Sequence, residues 1–262
     1  MKIMVTNDDG AHAPGLWALV RALRPVGSVV VCAPDRDRSG VGPALSVNEL
    51  IRAKKVVSAL PDVTVYAVEG TPGDAAVLGL RKLVGEPVDV VVSGINPGTN
   101  VGEDVIISGT IGAGIHAYMN GVPTLAVSVG GETEPDHPVV EAVTREVVRA
   151  MAEDRSPVFV NLNFPDLARA PARGALRTTV ASRFLKDGVD SLQRGYRTYY
   201  WVLRRGGRSV DSTSSDTDVW AVRNGYVSLS AIHPEFARGD VAARLSALVE
   251  AAAKALQAGH LI

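Results

Sequence analysis

A chain of 262 residues that is 46% hydrophobic can build one sizeable core, or a core with an appendage. Its 27 basic and 28 acidic side chains leave a net charge of −1, which excludes the basic surplus that draws a protein to a nucleic-acid polymer. The single cysteine, Cys32, excludes an internal disulfide framework, and no run approaches the roughly 18 apolar residues of a membrane span, so a cytoplasmic protein with no membrane partner is expected.

Short valine-rich runs recur along the first two thirds of the chain. "KIMVT" (2–6), "SVVVCA" (28–33), "VTVYAV" (63–68), "VDVVVSG" (88–94), "PTLAVSV" (123–129) and "PVFVNLN" (157–163) are apolar on both faces, as buried parallel strands are. Between them, helical spacing runs through 13–23, 72–84, 110–120 and 138–153. The alternation predicts an α/β fold, a mostly parallel sheet between two helical layers. Beyond about residue 165 the pattern changes, and residues 166–236 read as a β-rich arm. Within it "YRTYYWVL" (196–203) is strand-like, and "NG" at 224–225 predicts a tight hairpin between two strands of "DVWAVRNGYVSLSAI". Tyr196, Tyr199, Tyr200 and Trp201 suit either a subunit interface or packing on the parent domain. The alanine- and leucine-rich segment 237–259 predicts a terminal helix.

In such a sheet, ligands gather where strands end and helices begin. Asn7-Asp8-Asp9-Gly10 follows the first strand, "PDRDRSG" (34–40) the second, and "SGINPGTNVGEDVIISGT" (93–110) the fourth. Two adjacent carboxylates repel, and a divalent cation is the simplest compensation. Carboxylate, amide and hydroxyl oxygens are hard ligands, favouring magnesium, manganese or calcium over zinc. On local grounds "DD" is more often a solvated turn or cap; Ser39 and Asn96 on the same rim favour the site. The start of "SGTIGAG" offers amides and the Ser108 and Thr110 hydroxyls to a phosphate, or is a capped helix packed through glycines. "GTPGD" (70–74) reads as helix capping through Pro72 and Asp74. The arginines of "PDRDRSG" either meet phosphate or pair with Asp35 and Asp37. His12 lies near the aspartates, and no histidine stands at zinc-ligand spacing from another.

Taken together, "TNDDG" with "APG", "APDRDRSG", "GTPGD", "SGINPGTNVGEDV", "SGTIGAG" with "GVPTLAVS", and "NLNFP" resemble the motifs of the SurE survival proteins, metal-dependent nucleoside monophosphate phosphatases. The resemblance covers about residues 1–165 and resumes at "DTDVWAVRNGYVSL". It implies a Rossmann-like core with an extended β-hairpin arm and a C-terminal element exchanged between subunits, as a homodimer or homotetramer. It also implies one divalent metal ion per subunit held by Asp8, Asp9, Ser39 and Asn96. The expected reaction is that of a 5′-nucleotidase, hydrolysis of nucleoside 5′- and 3′-monophosphates. Asp8 and Asp9 take the catalytic roles, and Asn7, Asn100, Ser108, Gly109 and Thr110 bind phosphate or substrate. The chain departs from the family pattern at Gly42, Ala44, Ile107 and His116, positions that bear on substrate contacts and leave the four metal ligands intact.

Three rivals are weaker. A deacetylase built on an aspartate pair needs a histidine before the pair, which "TNDDGAHAP" lacks. A haloacid-dehalogenase-type phosphatase needs its aspartates two apart and followed by threonine. A nucleotide-sensing protein on the same core would bind without catalysis.

Overall fold

Valine-rich runs buried on both faces pair in parallel, and the helices between them cover those faces. The computed structural model describes residues 1–154, 156–182, 186–205 and 214–233. Its strands are β1 (Lys2–Thr6), β2 (Ser28–Pro34), β3 (Ala53–Val56), β4 (Thr64–Val68), β5 (Val90–Pro97), β6 (Thr124–Val129), β7 (Phe159–Phe164), β8 (Ala175–Thr178), β9 (Lys186–Arg194), β10 (Arg197–Arg205) and β11 (Val227–Ala231). The helices are α1 (Pro14–Leu23), α2 (Pro72–Leu78, continued by a π-helical turn Gly79–Leu83), α3 (Asp104–Ile107), α4 (Gly109–Met119), α5 (Pro138–Glu153) and α6 (Asp218–Arg223).

The main sheet runs β3-β4-β2-β1-β5-β6-β7-β11-β8. From β4 to β7 every pair is parallel, while β3 on one flank and β11 on the other run antiparallel to their neighbours β4 and β7. The chain builds outward from β1 to β2 and β4, then returns through α2 to lay β5 on the other side of β1. The strand order therefore reverses between β1 and β5, and the crevice above that reversal is where a doubly wound sheet binds its ligand.

Alternation along β1 sends Ile3 and Val5 into the core shared with α1 and α5, and Met4 into the opposite layer with Ala75 of α2. Cys32 lies on the Met4 side, wholly buried, and burial pushes its thiol up to about 12, so it acts as a small apolar filler. Helix entries match their chemistry. Thr71 and Asp74 form a reciprocal capping box on α2 with Pro72 in the first turn, as "GTPGD" predicts. Among the described residues no helix is long and apolar enough to cross a membrane.

Past β7 one expectation is corrected. Residues 218–223 form α6 rather than the first strand of a hairpin, because Thr217 caps the segment: its hydroxyl accepts the Trp220 N–H at 3.3 Å. Asn224 and Gly225 then end the helix, Gly225 at φ 80°. Strands β11 and β8 complete the main sheet, and β9 and β10 form a separate antiparallel ribbon turning at Gly195. The predicted terminal helix, 237–259, lies outside the described residues.

Candidate active site

Strand β1 delivers Asn7, Asp8 and Asp9 to the crevice, and the local sequence fixes how they turn. Asn7 is buried and grips the exit from both sides: its amide nitrogen donates to the Gly10 carbonyl and its oxygen accepts the Gly10 N–H, each at 3.1 Å. Gly10 sits at φ 105°, and a Cβ there would stand 3.0 Å from the Arg36 backbone. This close seat lets the loop after β2 lie across the pair, with the Arg38 N–H donating to the Asp8 carbonyl at 2.7 Å.

Asp8 is 4% exposed and faces the start of α4. Gly109 makes that approach possible, since a Cβ at this position would lie 2.7 Å from Asp8 Cβ. The Thr110 hydroxyl donates to Asp8 Oδ1, and the same Oγ1 lies 3.3 Å from Asn96 Oδ1 at the end of β5. Burial raises the Asp8 carboxyl above the ordinary range, and the Thr110 side chain and amide pull it back. Asp9 has less support. Its Oδ2 is buried without a hydrogen-bond partner, and its carboxyl is pushed up to about 7 by desolvation, then by the charges of Asp8 and Asp37.

In the sequence Asp37 stands only as a partner for neighbouring arginines. Its carboxylate accepts the Ser39 amide at 2.7 Å and the Ser39 hydroxyl at 2.5 Å, which holds it below the usual range. Arg38 reaches towards Asp35, at 3.9 Å. A cleft of about 410 Å³ opens beside Asp9, lined by Ala13, Pro14, Gly15, Asp37, Pro97, Glu134 and Pro135. Its titratable lining is wholly acidic. The signal for Asp37 was its address, two residues before Ser39 on the same rim.

The expected phosphate contacts divide. Ser108 caps α4, accepting the Ile111 N–H at 3.2 Å, a bond that leaves its hydroxyl proton to donate elsewhere. The Thr110 hydroxyl is turned to Asp8 and Asn96. Asn100 is 7% exposed, and its amide nitrogen donates to Ser128 Oγ at 2.8 Å. Asn7, Asn100 and Thr110 thus spend their side chains on shaping the rim. His116, by contrast, packs through Nε2 against the Pro43 carbonyl at 2.8 Å, and His12 is exposed.

The donor set fits a hard divalent cation. Among the described residues no three His, Cys, Asp or Glu side chains gather into a metal cage. The rim instead offers two carboxylates, one of them with an orphaned buried oxygen, together with the neutral oxygens of Asn96 and Ser39.

A family model described as Survival protein SurE matches residues 3–187. A protein of Dehalococcoides mccartyi named 5′-nucleotidase SurE is 41% identical over 237 residues, 89% of each chain. One of the same name from Geobacter metallireducens is 41% identical over 239 residues, 89% of this chain and 91% of its own. The crystal structure of the SurE protein from Aquifex aeolicus superposes with a TM-score of 0.77 at 31% identity, covering 95% of this chain and 99% of that one. Motifs, fold and relatives agree, and the chain belongs to the SurE survival protein family.

Proposed function

We propose that the chain is a metal-dependent 5′-nucleotidase that hydrolyses nucleoside 5′- and 3′-monophosphates to nucleoside and inorganic phosphate. The observation that carries this reading is the unpartnered Asp9 carboxylate oxygen above an acid-lined cleft at the β1/β5 switch point. An anionic substrate has no cation of the protein to meet in that lining, so a bound cation would supply the positive charge. The nucleotidase names of the relatives support the substrate class.

One divalent ion per subunit, Mg²⁺ or Mn²⁺ with Ca²⁺ able to substitute, would be held by Asp8, Asp9, Asn96 and Ser39. When bound, it supplies charge neutralisation at a phosphoryl oxygen and a lowered pKa for water. The chain supplies the orientation. Thr110 locks Asp8 in a single pose, which suits it to direct a water in line with phosphorus. Asp9, whose Oδ2 has no partner in the chain, would hold the ion in its ionised form. The Gly109 amide and the Ser108 hydroxyl, at the start of an eleven-residue helix, meet the phosphoryl oxygens. Asn7 and Asn100 hold the loops that carry these groups. Pro14, Pro97 and Pro135 give the cleft a stiff apolar wall for the nucleoside.

Of the 166–236 region, β8 and β11 belong to the main sheet, which leaves the β9–β10 ribbon as the arm through which a homodimer or homotetramer would assemble. On the β9–β10 ribbon Val189, Tyr199, Tyr200, Trp201 and Val202 are all exposed in the single chain, Val202 at 73%, a surface of the kind that subunits cover. The compartment is cytoplasmic, consistent with the lone buried thiol.

A panel of phosphate monoesters assayed with and without chelator tests the reading. Nucleoside monophosphates should release phosphate only with the ion, and Asp9→Ala should fall to the chelated background. Wild-type turnover by Asp9→Ala, or no release from any nucleotide, would overturn it.

A further inference from the structure

The segment between β5 and α4 carries Asn96 at one end and Ser108, Gly109 and Thr110 at the other, with only the four-residue α3 between. Its rear is anchored at three consecutive residues. Asn100 donates its N–H to Asn163 Oδ1 at 2.8 Å, and its carbonyl accepts from the Asn161 and Asn163 side chains at 2.8 and 3.2 Å. Val101 is buried in a small satellite cluster with Ala181 and Val219. Gly102 donates its N–H to Asp218 Oδ2 at 2.8 Å.

Asp218 is wholly buried, and its other oxygen accepts the N–H groups of Ala181 at 2.9 Å and Val219 at 2.7 Å. Helix α6 does not need this carboxylate as its cap, because Thr217 already fills that place. Packing does not need it either, since an apolar side chain would fill the space without the cost of burying a charge. What the carboxylate alone does is tie three separate stretches of chain, 102, 181 and 219, to one point.

We infer that Asp218 is a positioning residue for the site. By fixing Gly102 it sets the path from Asn96 to Thr110, the two groups that meet around Asp8. The catalytic consequence rests on the nucleotidase reading above; the anchoring itself does not.

Asp218→Asn tests it, because the amide keeps the size but turns an N–H group against one of the backbone donors. Hydrogen exchange in peptides covering 97–108 should quicken by about tenfold, and calorimetric Mn²⁺ affinity and kcat should each fall by about tenfold, with KM changing less, as for residues that orient metal ligands. Val219→Ala is the control: it thins the same cluster, keeps the carboxylate, and should lower Tm while leaving kcat close to wild type. Unchanged exchange and unchanged Mn²⁺ affinity in folded Asp218→Asn would overturn the inference. So would an equal loss of kcat in Val219→Ala at an equal loss of Tm. If Asp218→Asn does not fold, exchange in the wild-type protein decides: the Gly102 amide should be protected as strongly as that of Ala181, and an unprotected Gly102 refutes the anchor. Exchange and Mn²⁺ binding require no turnover, so an inactive wild type would sink the nucleotidase reading and still leave the anchor measurable.

Discussion

The loop after β1 and the start of α6 each bury an aspartate, and they treat it in opposite ways. Around Asp218 the fold supplies three backbone N–H donors, at 2.7 to 2.9 Å. Around Asp9 it supplies none to the buried Oδ2 and sets Asp8 and Asp37 beside it instead. Desolvation raises both carboxyls, so burial does not distinguish them. The difference lies in compensation. A buried charge whose donors are provided by the fold holds the fold together; one denied donors and crowded by like charge is, on the proposed reading, the one left for a cation to compensate.

Altering the crowding at the rim should have the largest effect on the enzyme. Gly109→Ala would place a methyl 2.7 Å from Asp8 Cβ, pushing the start of α4 off the carboxylate. Overpacking of this kind costs about 1–3 kcal/mol of stability. Activity should suffer more than stability, and phosphate release beside a thermal melt would show it. Retention of full turnover would mean that the contact between α4 and Asp8 does not matter to the chemistry.

Replaced by asparagine, the two aspartates should change stability with opposite signs. In the metal-free protein the Asp9 carboxyl sits at about 7 against an ordinary 3.8. Between those values the folded chain holds a proton that the unfolded chain has released, so stability falls as pH rises through this window and levels off above about 7. Asp9→Asn removes that loss and should raise the metal-free Tm at pH 8. Asp218→Asn should lower it, by about 1–3 kcal/mol of stability for a buried bond left unmade. Melting curves at pH 5 and pH 8, with and without Mn²⁺, check both signs. Asp8 and Asp218 are raised too, so the difference between wild type and variant decides: an Asp9→Asn protein with the same change in stability from pH 5 to pH 8 as the wild type would contradict the assignment of Asp9.

The parallel strands and the address of the site were legible because hydrophobic period and glycine-bounded loops are local signals. Other features depend on contacts far along the chain. "DVWAVRNG" looks like a strand entering a type I′ turn until Thr217 is seen to cap it, and the same Asn-Gly pair serves a helix end as well as a hairpin. Strand β3, "AKKV", alternates too weakly to announce itself and exists through its pairing with β4. Thr110 reads as a phosphate donor at a helix start, but Asp8, 102 positions away, takes its hydroxyl. Asp218 reads as an ordinary first-turn acid, and only tertiary structure brings Gly102 and Ala181 to it. Asp37 carries no motif signal in a loop full of charges, and only its charge on Asp9 and its place in the cleft lining tie it to the candidate site.

If Asp9 is kept for a cation, metal binding must displace its proton, and the proton count on binding shows it. Titrating Mn²⁺ into the metal-free protein at pH 6, in buffers of different ionisation enthalpy, gives that count by calorimetry. With the Asp9 carboxyl at about 7 and Asp8 raised beside it, binding at pH 6 should release about one proton or more, less as pH rises, and the release should be smaller in Asp9→Asn. Binding at pH 6 without proton release, or release undiminished in an Asp9→Asn protein that still binds Mn²⁺, would contradict it.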